Sequence, residues 1–157
     1  MPRSWAGTGH GMERVMARIL IAVDGSPASL RALEFGASLA AKLGVGVVLL
    51  YVMQQVMLPM GGGGGPETLS ELQDALRTEG TQLLNSLADK ARAHNVAVET
   101  ELGVGTPALA IHDRSEAPDI QMVVMGSRGH GAMARLLLGS VATQVVHSSG
   151  KPVVVVR

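Results

Sequence analysis

A chain of 157 residues has room for one domain, and with 46% hydrophobic residues it can bury a core without staples. The absence of cysteine removes disulfides, thiolate metal sites and cysteine nucleophiles together. Thirteen basic residues balance thirteen acidic ones, and a single Phe, Tyr and Trp leave little to stack on bases, so no nucleic-acid partner and no membrane partner is expected.

Residues 1–15 carry Gly, Ser and Thr without the apolar centre of a signal peptide. No apolar run in the chain approaches the ~20 residues of a membrane span. The expectation is a flexible N-terminal tail, residues 1–15, ahead of one cytoplasmic domain, residues 16–157. From Arg18 the pattern is regular. Ile19 to Val23 is a short β-branched apolar run, which predicts a strand buried on both faces. Asp24-Gly25 breaks it, Ser26 supplies an N-cap, and Pro27 takes the first helical position. Leu30, Leu33, Ala37 and Ala40 recur at helical spacing until Gly44, where a C-cap glycine belongs. Val47 to Val52 is a second buried strand, and Gly61 to Gly65 with Pro66 form a mobile connection. A long helix follows, its expected inner face carrying Leu69, Leu72, Leu76, Leu83, Leu87 and Ala91, with Gly80 placed for close packing.

Val96 to Leu102 alternates as a strand with one wetter face does, which places it at a sheet edge. Thr106-Pro107 opens a helix that stops before Ala117-Pro118. Ile120 to Met125 is a buried strand ending at Gly126, Ser140 is expected to cap a last helix, and Val153 to Val156 makes a fifth strand. Strands alternating with helices predict an α/β fold: an open five-stranded parallel sheet with helices on both faces.

Such sheets bind ligands beyond the carboxyl ends of their strands, where strand order reverses. In an order 3-2-1-4-5 the first and fourth strands flank that point. The first ends in Asp24-Gly25-Ser26 and the fourth runs into Gly126-Ser127-Arg128-Gly129-His130-Gly131. The spacing Gly126-x2-Gly129-x9-Gly139-Ser140 suits phosphate. Gly126 and Gly129 lack a Cβ, so their amides can approach an anion and adopt positive φ, while Gly139 and Ser140 offer amides and a hydroxyl at a helix N-terminus.

This spacing resembles the ATP-binding signature of the universal stress protein family. The opening Ile19 to Ser26 and the closing Gly150-Lys151-Pro152-Val153 to Val156 resemble that family as well. The resemblance covers residues 16–157 and implies a Rossmann-like fold of the adenine nucleotide α-hydrolase type. It implies an ATP site made by Ala22, Val23, Asp24, Val52, Met125, Gly126, Arg128, Gly129, Gly139, Ser140 and Val141. In that site Asp24 stands by the ribose or by a magnesium or manganese ion carried on the nucleotide, and Val52 presents its backbone to adenine. The resemblance also implies a homodimer paired through the last strand, with a regulatory or stress-response role.

Other readings of these residues are weaker. No Gly-Lys-Ser or Gly-Lys-Thr occurs, so a Walker loop is unsupported, and the Gly129 to Ala134 imitation of a dinucleotide fingerprint does not open into a helix. Arg128 and Arg135 bracket the loop and can equally pair with phosphate or with solvent. Asp24 also fits a plain turn former, and His130 a solvated loop residue. His10, His94, His112 and His147 lack ligand spacing, so no metal site made by protein alone is expected. No nucleophile elbow surrounds Ser127 or Ser140. An enzyme that consumes ATP and a dimer that binds no nucleotide stand as the alternatives to an ATP-binding regulator.

Overall fold

Ile19, Leu20 and Ile21 are fully buried, as a strand sandwiched between two helical layers requires. The computed structural model describes residues 16–55, 65–131 and 137–157. The predicted tail, Arg135 and the glycines before Gly65 therefore lie outside the described residues. In chain order the elements are β1 (Arg18–Ala22), α1 (Pro27–Leu43), β2 (Gly46–Met53), α2 (Pro66–Arg92) and β3 (Val98–Val104), then α3 (Pro107–Ser115), β4 (Ile120–Gly126), α4 (Ser140–Ser148) and β5 (Val153–Val156). All four strand pairings are parallel and the order is β3-β2-β1-β4-β5, so the expected reversal between β1 and β4 is present.

Side chains alternate between two cores. Ile19, Ile21, Val47, Leu49 and Val124 pack with α1 and α2, while Leu20, Val48, Val123 and Met125 pack with α3 and α4. Local chemistry sets the helix ends of α1: the Ser26 hydroxyl accepts from the Ser29 amide, and Gly44 closes the helix at φ 67°.

Three expectations need correction. The third strand runs from Val98 to Val104, two residues later than its alternation implied, because its register against Val47–Met53 carries the pairing onward. The apolar face of α2 meets the sheet only in its second half. Leu84, Leu87, Ala88 and Ala91 are buried there, whereas Leu72 is exposed on the first half of the helix. The cap of α4 is Gly139 and not Ser140, since the Gly139 carbonyl already accepts from Thr143 N and Ser140 is the first helical residue. Gly80 does pack closely: a Cβ there would stand 2.8 Å from the Tyr51 ring and 3.0 Å from Leu102.

Candidate functional site

The carboxyl ends of β1, β2 and β4 present backbone groups that the ladder does not use. Val23 N donates to Leu50 O at 2.9 Å, so Leu50 directs its carbonyl toward β1. Val52 lies two residues on and repeats that direction, but the β1 register stops at Ala22 opposite Leu50. Its amide and carbonyl therefore face the space past the end of β1. Met53, on the alternate side, accepts instead from Gly105 N.

Of the predicted residues, Ala22, Val52, Met125 and Val141 fall together in the core layer of α3 and α4. They form an aliphatic wall beneath the open backbone of Val52. Val23 belongs to the opposite layer, against α1 and α2. It can meet a ligand on that wall only through its backbone.

The loop after β4 explains each glycine separately, and not as the spacing alone implied. None of Gly126, Gly129 and Gly139 has a positive φ; near the site that conformation belongs to Gly25 at 79° and Gly131 at 75°. A Cβ on Gly126 would lie 2.7 Å from the Ala28 carbonyl carbon and 2.8 Å from Ser29 N, so this glycine lets β4 end against the first turn of α1. A Cβ on Gly129 would lie 2.6 Å from Asp24 Oδ2, so its bareness makes room for a carboxylate. Gly139 is bare against Ser127 O, at 3.3 Å, and Arg128 Cα, at 3.4 Å. Its amide is also committed, donating to Ser127 O at 2.6 Å. The amides that α4 leaves without an intrahelical acceptor are consequently those of Ser140, Val141 and Ala142, which precede the first intrahelical bond at Thr143; a helix N-terminus of this kind favours an anion.

Asp24 sits half-buried at the tip of β1, with Oδ1 accepting from Ser26 N at 2.8 Å and its own amide donating to Ser29 Oγ at 3.3 Å. Oδ1 therefore shapes the turn, as the turn-former reading expects, while Oδ2 lies beside Gly129. Two contacts that sequence reasoning did not foresee tie this turn to the loop after β4. His130 Nε2 is 2.8 Å from Asp24 O, and the Ser26 hydroxyl donates to Arg128 O at 3.4 Å. Each spans more than a hundred residues of sequence, and only the juxtaposition of β1 and β4 reveals it. Ser127, at the start of the loop after β4, is buried, and its hydroxyl has no hydrogen-bond partner among the described residues.

On the α2 side of this edge lies a cleft of about 590 Å³, bordered by Asp24, Tyr51, Glu79, Leu83 and His130. Its described lining residues include two carboxylates and neither lysine nor arginine. An anion is favoured at the N-terminus of α4 and disfavoured here. Among the described residues, no group of three or more His, Asp or Glu could hold a metal ion, and no helix is long and apolar enough to cross a membrane.

The domain is a doubly wound α/β sheet whose reversal point, the place where such sheets bind ligands, carries the aliphatic wall and the N-terminus of α4. Comparison with known proteins gives the family. The universal stress protein family model matches residues 16–157, and the chain belongs to that family. Universal stress protein MJ0531 of Methanocaldococcus jannaschii is 32% identical over 146 residues, covering 92% of this chain and 84% of that protein. Among solved structures, universal stress protein UspA from Lactobacillus plantarum aligns with a TM-score of 0.79 at 25% identity, over 90% of this chain and 98% of its own. A universal stress protein from Archaeoglobus fulgidus, solved in complex with dAMP, aligns at 27% identity and a TM-score of 0.59, over 90% of this chain and 98% of its own.

Proposed function

We propose that this chain is an ATP-binding regulator of the stress-response type, working in the cytoplasm as a homodimer and hydrolysing ATP slowly at most. The observation that carries the reading is the meeting of three features at one edge. These are the aliphatic wall of Ala22, Val52, Met125 and Val141, the backbone of Val52 opening past β1, and the amides at the start of α4. The wall and Val52 suit adenine, which is apolar on its faces and hydrogen-bonding at its edge. The α4 amides suit the phosphates, with Gly129, Gly139, Ser140 and Arg128 around them. That the Archaeoglobus fulgidus relative was solved in complex with dAMP supports an adenine nucleotide as the ligand class.

A magnesium or manganese ion carried on the phosphates fits Asp24 in a limited way. Because Oδ1 serves the Ser26 amide, the carboxylate has Oδ2 to offer, and phosphate oxygens and water must complete the shell. When bound, the ion would neutralise phosphate charge close to Asp24.

Fast hydrolysis needs an oriented water and a base beside it. His130 is the base candidate in the loop; its Nε2 faces a carbonyl and must carry the proton there, which leaves Nδ1 as the one nitrogen able to accept a proton from water. Protein heated to release its ligand should yield an adenine nucleotide by mass spectrometry, and phosphate release with ATP and magnesium or manganese should stay below ~1 s⁻¹. An extract holding no nucleotide, from protein that also leaves added ATP unbound, would favour an interaction dimer. Turnover above that rate would make the protein an enzyme.

The dimer is proposed from the edge of the sheet. Pro152 O and Val156 O accept from Val123 N and Ser127 N, so the even positions of β5 face β4. Val153 and Val155 therefore turn their amides to the open edge, where a second copy of β5 can pair.

A further inference from the structure

We infer that His130 is a positioning residue: its imidazole latches the phosphate loop onto the β1–α1 turn and sets the loop's readiness for a phosphate chain. The inference deepens the nucleotide reading above and rests on it.

From Ser127 to Gly131 the chain leaves β4 without helix or strand. A loop of this kind must give up conformational freedom when an anion docks on it, unless something has ordered it beforehand. Ser127 is held at the start, its amide donating to Val156 O at 2.7 Å and its carbonyl accepting from Gly139 N. Arg128 is held by the Ser26 hydroxyl, at the long distance of 3.4 Å. Gly129 closely approaches the Asp24 carboxylate, with no room for a Cβ between them. The short contact at the far end is His130 Nε2 to Asp24 O, 2.8 Å. Glycine at both 129 and 131 gives this half of the loop wide intrinsic backbone freedom, which the contact restricts.

The chemistry of the contact names the proton. A carbonyl only accepts, so Nε2 must donate, in the neutral ring as in the imidazolium. The residue's work is that of a donor at a fixed reach from the backbone. Glutamine can supply such a donor from its amide nitrogen, whereas alanine cannot. The same contact draws Gly129 and the Asp24 carboxylate together, so the latch also sets how far Asp24 stands from a phosphate-bound cation.

The test compares wild type with His130→Ala and His130→Gln. Calorimetric titration with ATP and magnesium should give an affinity about fivefold lower for the alanine variant, the fold-change of one net hydrogen bond. Glutamine should restore it to within about twofold. Because His130 is exposed and outside the core, the alanine variant should lose no more than about 2–4 °C of melting temperature, and all three proteins should remain folded at the titration temperature. In the nucleotide-free protein, ¹⁵N shifts of the imidazole should report a proton on Nε2, and the amide order parameters of Gly129 and Gly131 should fall in the alanine variant alone. Wild-type affinity in the alanine variant, no rescue by glutamine, or a proton on Nδ1 only would each overturn the latch. Should wild type fail to bind ATP, the nucleotide reading falls, and the tautomer and order parameters then decide the latch by themselves.

Discussion

Gly126 and Gly129 are three residues apart in one motif, but different neighbours require them. Gly126 faces backbone atoms of α1, which cannot step aside, and an added methyl there is overpacking. Gly126→Ala should therefore destabilise the fold by about 1–3 kcal/mol, read as a lowered denaturation midpoint. Gly129 faces the tip of one carboxylate at an exposed loop. Gly129→Val should leave the midpoint unchanged and lower ATP affinity at least about tenfold, through both the displaced Asp24 and the blocked approach of phosphate. A Gly129→Val protein that binds ATP as wild type does would remove the loop from the site. Positive φ, the usual reason for glycine in such a loop, applies to Gly25 and Gly131 instead. That assignment was not legible in the sequence, since glycine spacing records where a Cβ is absent and not which neighbour excludes it.

At the scale of elements, the end of the sheet away from the site is held by charge. Arg114 on α3 donates from Nε to Glu101 of β3 at 2.9 Å and from Nη1 and Nη2 to Asp119 at 2.9 Å. Arg18 of β1 adds contacts to Glu99 at 2.7 Å and to Asp119 at 3.4 Å. The edge strand β3 is thereby tied to α3 and to the sheet centre. The Arg114 hydrogen bonds, more than burial opposes them, hold the Asp119 carboxyl below its usual range. A depressed carboxylate stabilises the fold above its unfolded pKa, ~3.9, and that contribution is lost as pH falls through the folded value. Asp119→Asn should cost about 1–3 kcal/mol at pH 7, with the gap between variant and wild type closing below pH ~4. A gap that is constant with pH would mean that packing, not charge, anchors Asp119. At the opposite edge, Val155→Pro removes a donor that points away from β4, so the β4–β5 ladder should survive. Sedimentation should then show a monomer for the variant and a dimer for wild type at micromolar concentration. A monomeric wild type would contradict pairing through β5.

Across the whole molecule, periodicity carried most of the fold and little of the site. The buried runs Ile19–Val23 and Val47–Val52 identify central strands because only a doubly covered strand is apolar on both faces. The caps at Ser26 and Gly44 were legible because their partners are local. The first half of α2 misled, since a helix can keep leucines at i, i+3 and i+4 over turns that project beyond the sheet. The register of β3 was open by two residues for a related reason: alternation fixes a face and not an endpoint. In the site, Ala22, Val52, Met125 and Val141 share a face that strand parity and topology together define. The Ser26–Arg128 and His130–Asp24 contacts depend on loop coordinates that no local pattern encodes.

The central claim is that this edge of the sheet holds an adenine nucleotide, and titration calorimetry of purified, nucleotide-stripped protein with ATP and magnesium addresses it directly. Saturable binding of one ATP per chain is predicted, with a Kd of about 100 μM or tighter, equivalent to roughly 5.5 kcal/mol or more. Met125→Glu, which sets a carboxylate in the aliphatic wall, should abolish the signal if that wall receives the base. Wild-type protein giving no saturable heat up to about 1 mM ATP, where any site worth ~4 kcal/mol would half fill, would contradict the account.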